Sequence, residues 1–493
     1  MANWIKKKEE SGRKKQKRGF GKGIKEYFAD FVSSVKEGDW GTRASLLVMG
    51  SGFVARKQYV KGILITLVQI LYLIIFAIYS VPYLSKFGTL GTVKMEQSFD
   101  PITMQQTTND YDNSFLILIH SMISLFLLVV FVMYYIHNIK AAYKVEQDAR
   151  AGRPVNSFRQ DMKEMLGKNF HFSLLTLPTI GVIVMNILPI LVLVAIAFTN
   201  YDQNHMPPAA LFTWVGFENF KALISNGGMT ITFGYAFWKV LSWTLVWAVL
   251  ATFTNFIGGI VLAVLINSKG VKYPKMWRSL FVVAIAVPQF VTLILVRNFF
   301  RDDGIVNTLC ANAGITDFFK SIGLLGANMN YIPFLTSKGW AKVMIVLINI
   351  WVGIPYQMLI ATGVLMNAPL DQVESARIDG ASKSQIFWKI TIPYILVVQG
   401  PALITDFVRN INNFNVIYLL TQDVYTTTDQ MLANSNAKEV DLLVTWLFRL
   451  TNEYYNYKMA SVIGIIVFII CVAFTLVSYS RLMAGGREED YQI

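Results

Sequence analysis

The sequence has few charged residues, because Asp, Glu, Lys and Arg together make up only 15% of its 493 residues. Soluble globular proteins carry about 25% charged residues. Apolar side chains account for 54% of the chain, and surface-to-volume scaling does not explain so apolar a composition in a soluble protein. The composition therefore excludes an ordinary soluble protein and indicates a chain that is partly dissolved in lipid.

Cysteine and histidine are also scarce, with two cysteines and four histidines. Cys310 lies in a polar connection and Cys471 in an apolar run, so we expect no disulfide, and no metal-ligand spacing occurs. A phosphate-binding loop of the Gly-x₄-Gly-Lys-Ser/Thr type is missing as well. We therefore expect no catalytic residue, no metal and no cofactor, and any ATP that drives this protein must bind to a separate subunit.

Eight apolar runs are long enough to be membrane-spanning helices, which need about 20 residues to cross a bilayer of about 30 Å. The fifth run carries Pro288 and Gln289, and the seventh is interrupted by Gln399 and Pro401. These runs predict an all-α, polytopic membrane protein with about eight transmembrane helices. They cover residues 62–83, 114–136, 173–198, 239–266, 280–299, 341–366, 392–409 and 459–481.

The net charge of +13 is consistent with a nucleic-acid partner, with an anionic membrane surface or with membrane topology. The termini and the loops on their side of the eight runs hold 31 of the 44 Lys and Arg residues, and the opposite loops hold 9. Basic residues concentrate in cytoplasmic loops. The distribution therefore favours topology, predicts that both termini are cytoplasmic and gives no reason to expect nucleic acid.

Four regions follow from this pattern. The basic N-terminal tail contains an amphipathic stretch at 42–61, which is expected to lie along the membrane before the first span. The run from Lys6 to Lys25 either contacts anionic lipid or is simply solvated. Two accessory spans with a cytoplasmic linker precede a six-helix core, which ends in a short cytoplasmic tail. The predicted regions are 1–61, 62–172, 173–485 and 486–493.

The loop between the sixth and seventh runs, residues 367–393, predicts two short helices. Pro369 suits a first helical turn, and Glu374 complements the positive end of the helix dipole. Gly380 can end that helix in a left-handed conformation. Ser382 can then cap a second helix that leads into the membrane. Nothing in this loop resembles a catalytic site.

The same loop carries the first specific resemblance. It is similar to the EAA loop of bacterial ABC-importer permeases, with Ser375 in place of a second alanine and Ile392 in place of leucine. In that family the loop is a coupling helix that docks into a cytoplasmic ATPase subunit. The matching pattern is Glu374-x-Ala376-x₃-Gly380-x₉-Ile390-x-Ile392-Pro393. The resemblance implies that Glu374, Ala376, Gly380, Ile390 and Pro393 take part in ATPase coupling.

The resemblance extends over residues 60–485 and is strongest to maltose/maltodextrin-type permeases, which implies that Asn349, Gly353, Tyr356 and Asn410 contact sugar. Amides and aromatic faces suit neutral, hydroxyl-rich ligands. Asn349 and Tyr356 are seven residues apart, so both can face one cavity, and Gly353 between them leaves room for a sugar ring. The alternative is that Asn349 and Tyr356 only bridge neighbouring helices.

Two charges depart from this family pattern. Asp406 and Arg409 stand where related maltose permeases carry uncharged side chains, and their spacing allows an ion pair within one helix. Intramembrane charges normally face an interior or a watery cavity. The pair either locks the seventh span or reaches substrate hydroxyls, and we favour locking.

The resemblance also implies a set of partners. These are a second homologous permease, two cytoplasmic ATPase subunits, an extracytoplasmic sugar-binding protein and an oligosaccharide, in a bacterial cell membrane whose lipid surrounds the chain. The substrate is expected to be maltodextrin or maltose, with another carbohydrate as the alternative. A secondary transporter is a further alternative, although no internal repeat is evident. A membrane enzyme is disfavoured, since Asp302-Asp303 is the only adjacent carboxylate pair.

Overall fold

The computed structural model describes residues 20–100, 105–225, 233–268 and 270–485. Residues 1–19 of the predicted N-terminal tail and the predicted C-terminal tail at 486–493 therefore lie outside the described residues. The described chain is helical apart from one β-hairpin. Its strands are β1 (Gln97–Asp100) and β2 (Gln105–Thr108), which pair antiparallel with Phe99 opposite Gln106.

The chain divides into two compact units, Met1–Ala195 with His205–Trp214, and Ile196–Asn204 with Val215–Ile493. The third span ends at this division. The start of the six-helix core at residue 173 stays a prediction. The helices that begin in the first unit are α1 (Phe20–Glu37), α2 (Trp40–Ala44), α3 (Ser51–Val54), α4 (Tyr59–Lys86), α5 (Ser114–Arg150), α6 (Phe158–Leu166) and α7 (Phe170–Ala197).

The second unit contains the remaining helices, and a 3₁₀ turn at Gln203–His205 lies at the boundary between the units in the sequence. The helices are α8 (Glu218–Ile224), α9 (Phe233–Ile266), α10 (Pro274–Ala286), α11 (Gln289–Phe299), α12 (Ile305–Asn312), α13 (Ile315–Ser321), α14 (Lys338–Met366), α15 (Leu370–Ile378), α16 (383–411), α17 (Phe414–Thr421), α18 (Gln430–Asn434), α19 (Leu443–Asn452) and α20 (Tyr457–Gly485).

Seven helical segments in the described ranges are long and apolar enough to cross a membrane. They correspond to every predicted run except the fifth, and α16 and α17 together form the seventh. The fifth run was expected to be one span but consists of α10 and α11, which are separated by extended backbone at Val287 and Pro288. Proline removes a backbone donor and disfavours helix at the residue before it, which explains the interruption.

Small residues bring α9 and α14 into close contact along the second unit. Gly258 and Gly259 of α9 face Ile354 and Gln357 of α14, and a methyl group at either glycine would overlap those side chains. Without a hydrophobic driving force between helices in lipid, such close van der Waals packing holds spans together. This contact fixes α9 against the middle of α14, where the sequence places Asn349, Gly353 and Tyr356.

A buried carboxylate closes the connection after α4. Asp112 Oδ1 lies 2.6 Å from Lys86 Nζ, and Asp112 Oδ2 accepts hydrogen bonds from the backbone N–H groups of Thr92 at 2.8 Å and Val93 at 3.1 Å. The Lys86 ammonium and these backbone donors lower the pKa of Asp112 from 3.8 to about 2.

The carboxylate of Asp112 therefore stabilises the fold above pH 4, and this contribution is lost as the pH falls from about 4 to about 2. Its size is at most about 2 kcal/mol, because Lys86 is half-exposed. The melting temperature of the purified protein should fall more between pH 4 and pH 2 than that of an Asp112→Asn variant. Parallel pH profiles for the two proteins would contradict this assignment.

Candidate functional site

The break between α10 and α11 opens onto a cavity in the second unit. The cavity has a volume of about 510 Å³, and its wall includes Ile285, Val287, Pro288, Gln289 and Thr292 around the break. Non-helical backbone at membrane depth is tolerated where it lines a water-filled cavity rather than lipid. The interrupted fifth span is therefore part of the site.

Uncharged amide side chains dominate the polar part of the cavity wall. Eight amides from five different helices and the connection after α16 line it, together with the aromatic side chains of Trp351, Tyr356 and Phe414. Such a wall offers neutral hydrogen-bond donors and acceptors beside aromatic faces. The amides are those of Asn255, Gln289, Asn349, Gln357, Asn410, Asn412, Asn413 and Asn415.

The four residues predicted to contact sugar, Asn349, Gly353, Tyr356 and Asn410, all line this one cavity. The structure thus brings them together, although they come from α14 and α16. Their hydrogen-bond partners and their exposure differ, however, so each residue is described in turn.

Asn349 is nearly fully buried, and its Nδ2 has no hydrogen-bond partner among the described residues. The same holds for Oδ1 of Asn255, which faces the cavity from α9. Buried polar atoms of this kind cost about 1–3 kcal/mol unless they are hydrogen-bonded. Both atoms are closed off from solvent in this conformation, so a molecule in the cavity can bond them only after the wall rearranges.

Asn410 has a different role, because its side chain already connects neighbouring elements. Its Nδ2 donates to Thr252 Oγ1 at 3.0 Å, and its Oδ1 accepts from Asn413 Nδ2 at 3.4 Å. Its backbone carbonyl accepts from Trp247 Nε1 at 3.1 Å. Asn410 therefore bridges α9 and the end of α16 at the edge of the cavity.

Gly353 and Tyr356 lie one helical turn apart on α14. A methyl group at Gly353 would overlap the side-chain amide of Asn255, so the missing side chain makes room for that amide on α9. The sequence had assigned this space to a sugar ring. Tyr356 is 44% exposed and presents its ring to the cavity.

Asp406 and Arg409 form an ion pair in the cavity wall, with Oδ1 and Nη2 at 2.8 Å. Asp406 is nearly buried and its Oδ2 also accepts a hydrogen bond from Gln357 on α14. The Arg409 side chain is 60% exposed, and its guanidinium carbon lies 5.7 Å from the Tyr356 ring centroid. The pair therefore links α16 to α14 and also faces the cavity.

Several lining residues were not predicted as site residues. Asn255 and Gln289 each interrupt an otherwise apolar run, which is the signal that marks an interior polar position in a membrane helix. Asn413 and Asn415 follow the seventh run in an Asn-rich stretch. Among the residues that the structure describes, no three His, Cys, Asp or Glu side chains gather into a metal site.

The loop at 367–393 has the predicted helix-turn-helix geometry. Gly380 is left-handed with a φ of 79°, and Ser382 caps the second helix in a capping box with Gln385. Pro369 precedes α15 at its cap position rather than lying within its first turn. A π-helical turn at Phe387–Thr391 then continues into the transmembrane part of α16.

The residues predicted for coupling lie on both sides of this turn. Glu374 and Gly380 are exposed, Ala376 is half-buried on α15, and Ile390 and Pro393 are half-buried where α16 begins its transmembrane course. Ile378 on the same short helix is 86% exposed. The loop thus presents a short helix with an exposed apolar residue, joined directly to a cavity-lining span.

Comparisons with known proteins extend these observations. Residues 255–484 match the family "Binding-protein-dependent transport system inner membrane component". The chain is 32% identical to the maltodextrin transport system permease protein MalC of Streptococcus pneumoniae over 91% of this chain and 97% of the relative. It is 29% identical to the galactooligosaccharides transport system permease protein GanP of Bacillus subtilis, over 87% of this chain and 94% of the relative.

A solved bacterial ABC transporter involved in alginate import aligns with 66% of this chain and 99% of its own, with 20% identity and a TM-score of 0.49. The alignments with relatives at about 30% identity cover nearly the whole length of those relatives. These relatives are permeases, which favours an ABC importer over a secondary transporter. The chain therefore belongs to the binding-protein-dependent ABC-importer permeases, among the maltose/maltodextrin-type permeases of sugar importers.

Proposed function

We propose that this permease forms the membrane path for a maltodextrin-type oligosaccharide and releases it into the cytoplasm. The observation that carries the proposal is the amide-lined cavity at the broken fifth span. Its unpartnered amide atoms on Asn349 and Asn255 match the donors and acceptors of sugar hydroxyls. Its aromatic rings suit the C–H faces of a sugar.

The choice of sugar rests on the relatives and on the neutral lining. Relatives at 32% identity, MalC among them, are named for maltodextrin transport, whereas GanP at 29% identity is named for galactooligosaccharides. Maltodextrin is therefore the first candidate, and another neutral oligosaccharide is the alternative. The Asp406–Arg409 pair adds no net charge to the wall, which is consistent with a neutral substrate.

The partners that family membership implies are a second permease, two ATPase subunits and an extracytoplasmic binding protein. We place the 367–393 loop on the cytoplasmic side because the loops on its side of the membrane hold most of the Lys and Arg residues. If α10 and α11 together cross once, the chain crosses eight times, and both termini are cytoplasmic. The chain then lies in the bacterial cell membrane.

Transport needs no chemistry on the sugar. ATP binding closes the ATPase subunits, and the loop transmits this movement through the π-helical turn into α16. Because Asp406 and Asn410 on α16 line the cavity, the movement changes the cavity wall. The importer thereby shifts between outward-open and inward-open populations. Glu374, Ala376 and Gly380 contact the ATPase in this proposal, while Ile390 and Pro393 join the loop to the span.

Asp406 and Arg409 are expected to lock α16 against α14. Asp406→Ala and Arg409→Ala should each lower the melting temperature of the purified complex. The first removes the hydrogen bond from Gln357 on α14, and the second leaves the nearly buried carboxylate of Asp406 without its charged partner. The double variant should lose less than the sum of the two, by a coupling of about 1 kcal/mol. Additive losses in stability, together with a raised KM for uptake in Arg409→Ala, would instead favour direct contact with substrate.

The substrate proposal is tested by uptake in a strain that lacks the chromosomal gene for this permease. Radiolabelled maltose, maltotriose, a longer maltodextrin and a galactooligosaccharide are compared with and without a plasmid-borne copy. We expect restored uptake of the α-linked glucose oligomers and little of the galactooligosaccharide. Restored uptake of the galactooligosaccharide alone would replace maltodextrin as the substrate.

A further inference from the structure

Helices α2 and α3 fold back on each other before the first span. We call the segment from Asp39 to Arg56 the N-terminal hairpin, with its tip at Leu46–Met49. Met49 and Phe53 are fully buried against the first unit. The sequence suggested an amphipathic segment that lies flat along the membrane surface, but the contacts of the tip and base place it differently.

The tip is hydrogen-bonded to a side chain well inside the first span. Gln69 Nε2 donates to the Leu47 carbonyl at 2.9 Å, and Gln69 Oε1 accepts from the Met49 backbone N–H at 2.8 Å. Gln69 follows Lys61 by eight residues along α4, which corresponds to about 12 Å. The tip therefore lies about 12 Å beyond the charged end of the first span.

The second span makes two equivalent contacts. Tyr135 Oη donates to the Leu46 carbonyl at 2.7 Å, and Asn138 Nδ2 donates to the Met49 carbonyl at 2.7 Å. Tyr135 precedes Lys140 by five residues on α5, or about 8 Å. Both spans thus place the tip inside the apolar layer on the side of Lys61 and Lys140.

The base of the hairpin is charged. Glu146 is nearly fully buried, and its carboxylate accepts from the Asp39 N–H at 3.0 Å and from Thr42 Oγ1 at 2.6 Å. Arg56 Nη2 lies 2.8 Å from Asp39 Oδ1 and 3.1 Å from Glu146 Oε2. The hairpin therefore has a polar base at the charged end of the spans and an apolar tip at greater depth.

Small residues let the hairpin approach the spans closely. A methyl group at Gly50 would overlap the backbone of Gly62 on α4, and one at Gly52 would lie 2.8 Å from the Ala142 side chain on α5. Backbone-to-backbone packing of this kind is typical of helices packed within a membrane.

The outer face of the hairpin carries exposed apolar side chains. Trp40 is 85% exposed and Leu47 is 83% exposed, and Val48 and Val54 are exposed beside them. Together with Ala44, Ala55 and Thr66 they form a shallow apolar groove. Leu47 and Val48 of this face lie at the depth fixed by Gln69 and Tyr135, whereas Trp40 lies beside Asp39 at the charged base.

We propose that the N-terminal hairpin is a re-entrant membrane element whose outer face contacts lipid acyl chains of the leaflet on the Lys61 side. Its tip has four backbone polar groups that the side chains of Gln69, Tyr135 and Asn138 satisfy, as lipid requires for backbone at membrane depth. Charged groups at the base remain at the headgroup level, where Lys57 and Lys61 lie.

The test uses the full importer reconstituted into vesicles of phosphatidylethanolamine and phosphatidylglycerol. In a Cys310→Ser and Cys471→Ala background, a nitroxide is attached at Leu47→Cys or Val48→Cys. Its collision rates with oxygen, which partitions into lipid, and with a water-soluble nickel chelate are measured. Leu67→Cys on the exposed face of α4 is the lipid reference, and Arg153→Cys is the aqueous reference.

We expect oxygen-to-nickel accessibility ratios at Leu47 and Val48 that match Leu67 and exceed Arg153 several-fold. Retained sugar uptake shows that each labelled chain is folded. If the Leu47→Cys variant does not fold, the Val48→Cys variant gives the measurement. Ratios at the level of Arg153 would place the tip in water and overturn the proposal. Low accessibility to both reagents would overturn it as well, because protein would then cover the face.

Discussion

Glu374→Lys is expected to reduce sugar uptake at least about ten-fold while the importer still assembles in the membrane and hydrolyses ATP. Glu374 is exposed on α15, so reversing its charge does not disturb the fold of the loop. A reversed charge opposite a fitted partner costs several kcal/mol, and 1.4 kcal/mol corresponds to a factor of ten. The measurement compares binding-protein-stimulated ATP hydrolysis with uptake in proteoliposomes.

A matched control variant sharpens this result. Gln372→Lys adds a positive charge to the same short helix on a different face, and it should retain more uptake than Glu374→Lys. Equal uptake in the wild type and in Glu374→Lys would contradict the docking role of this face.

Gly380 tests the turn itself. Its φ of 79° is left-handed, and no heavy atom lies within 4 Å of a Cβ built there, so substitution strains the turn without a clash. Gly380→Val should destabilise the turn by about 1–2 kcal/mol, because valine is disfavoured in the left-handed conformation, and it should therefore reduce coupled uptake. Gly380→Asn tolerates it and should retain coupling.

The second large effect is expected at Asn349. Asn349→Ala removes a buried amide whose Nδ2 has no partner among the described residues, so the melting temperature should not fall. Sugar uptake should nevertheless fall about ten-fold or more, because a hydrogen bond to substrate is lost. Co-purification of the ATPase subunits checks that the complex is intact.

Asn410→Ala provides the contrast, since Asn410 already bonds Thr252 and Asn413. Its removal should lower the melting temperature as well as uptake. Tyr356→Ala should impair uptake, whereas Tyr356→Phe retains the ring and should keep most of it. Unchanged uptake of every sugar in both Asn349→Ala and Tyr356→Ala would show that these residues are structural.

The parts of the fold that depend on local chemistry were predictable from the sequence. The long apolar runs, the left-handed Gly380 and the Ser382 cap each follow from the residues at those positions. The break in the fifth run was not predicted, although Pro288 and Gln289 stood in it. A proline in an apolar run is compatible with either a kink or an interruption, and the packing around the cavity decides between them.

The four residues predicted to contact sugar line one cavity, and their contact with sugar stays a prediction. The positions of Asn349 and Tyr356 on α14 gave the cavity face, whereas Asn255 on another helix was missed because no sequence period relates α9 to α14. The space beside Gly353 is filled by the Asn255 amide, and the sequence could not show this because Asn255 lies on a different helix. The N-terminal hairpin depends on contacts with Gln69 and Tyr135, which are distant in sequence, so composition alone indicated only an amphipathic segment.

The central claim is that the loop around Ala376 docks into a cytoplasmic ATPase subunit and moves the cavity behind it. Ala376→Cys in the Cys310→Ser and Cys471→Ala background, treated with a short bifunctional thiol reagent, tests it directly. We predict a crosslink to the ATPase subunit that changes in yield when ATP binds, and protection from a membrane-impermeant thiol reagent added outside the cell. Labelling of this cysteine from outside, or no ATPase in the purified complex, would contradict the account.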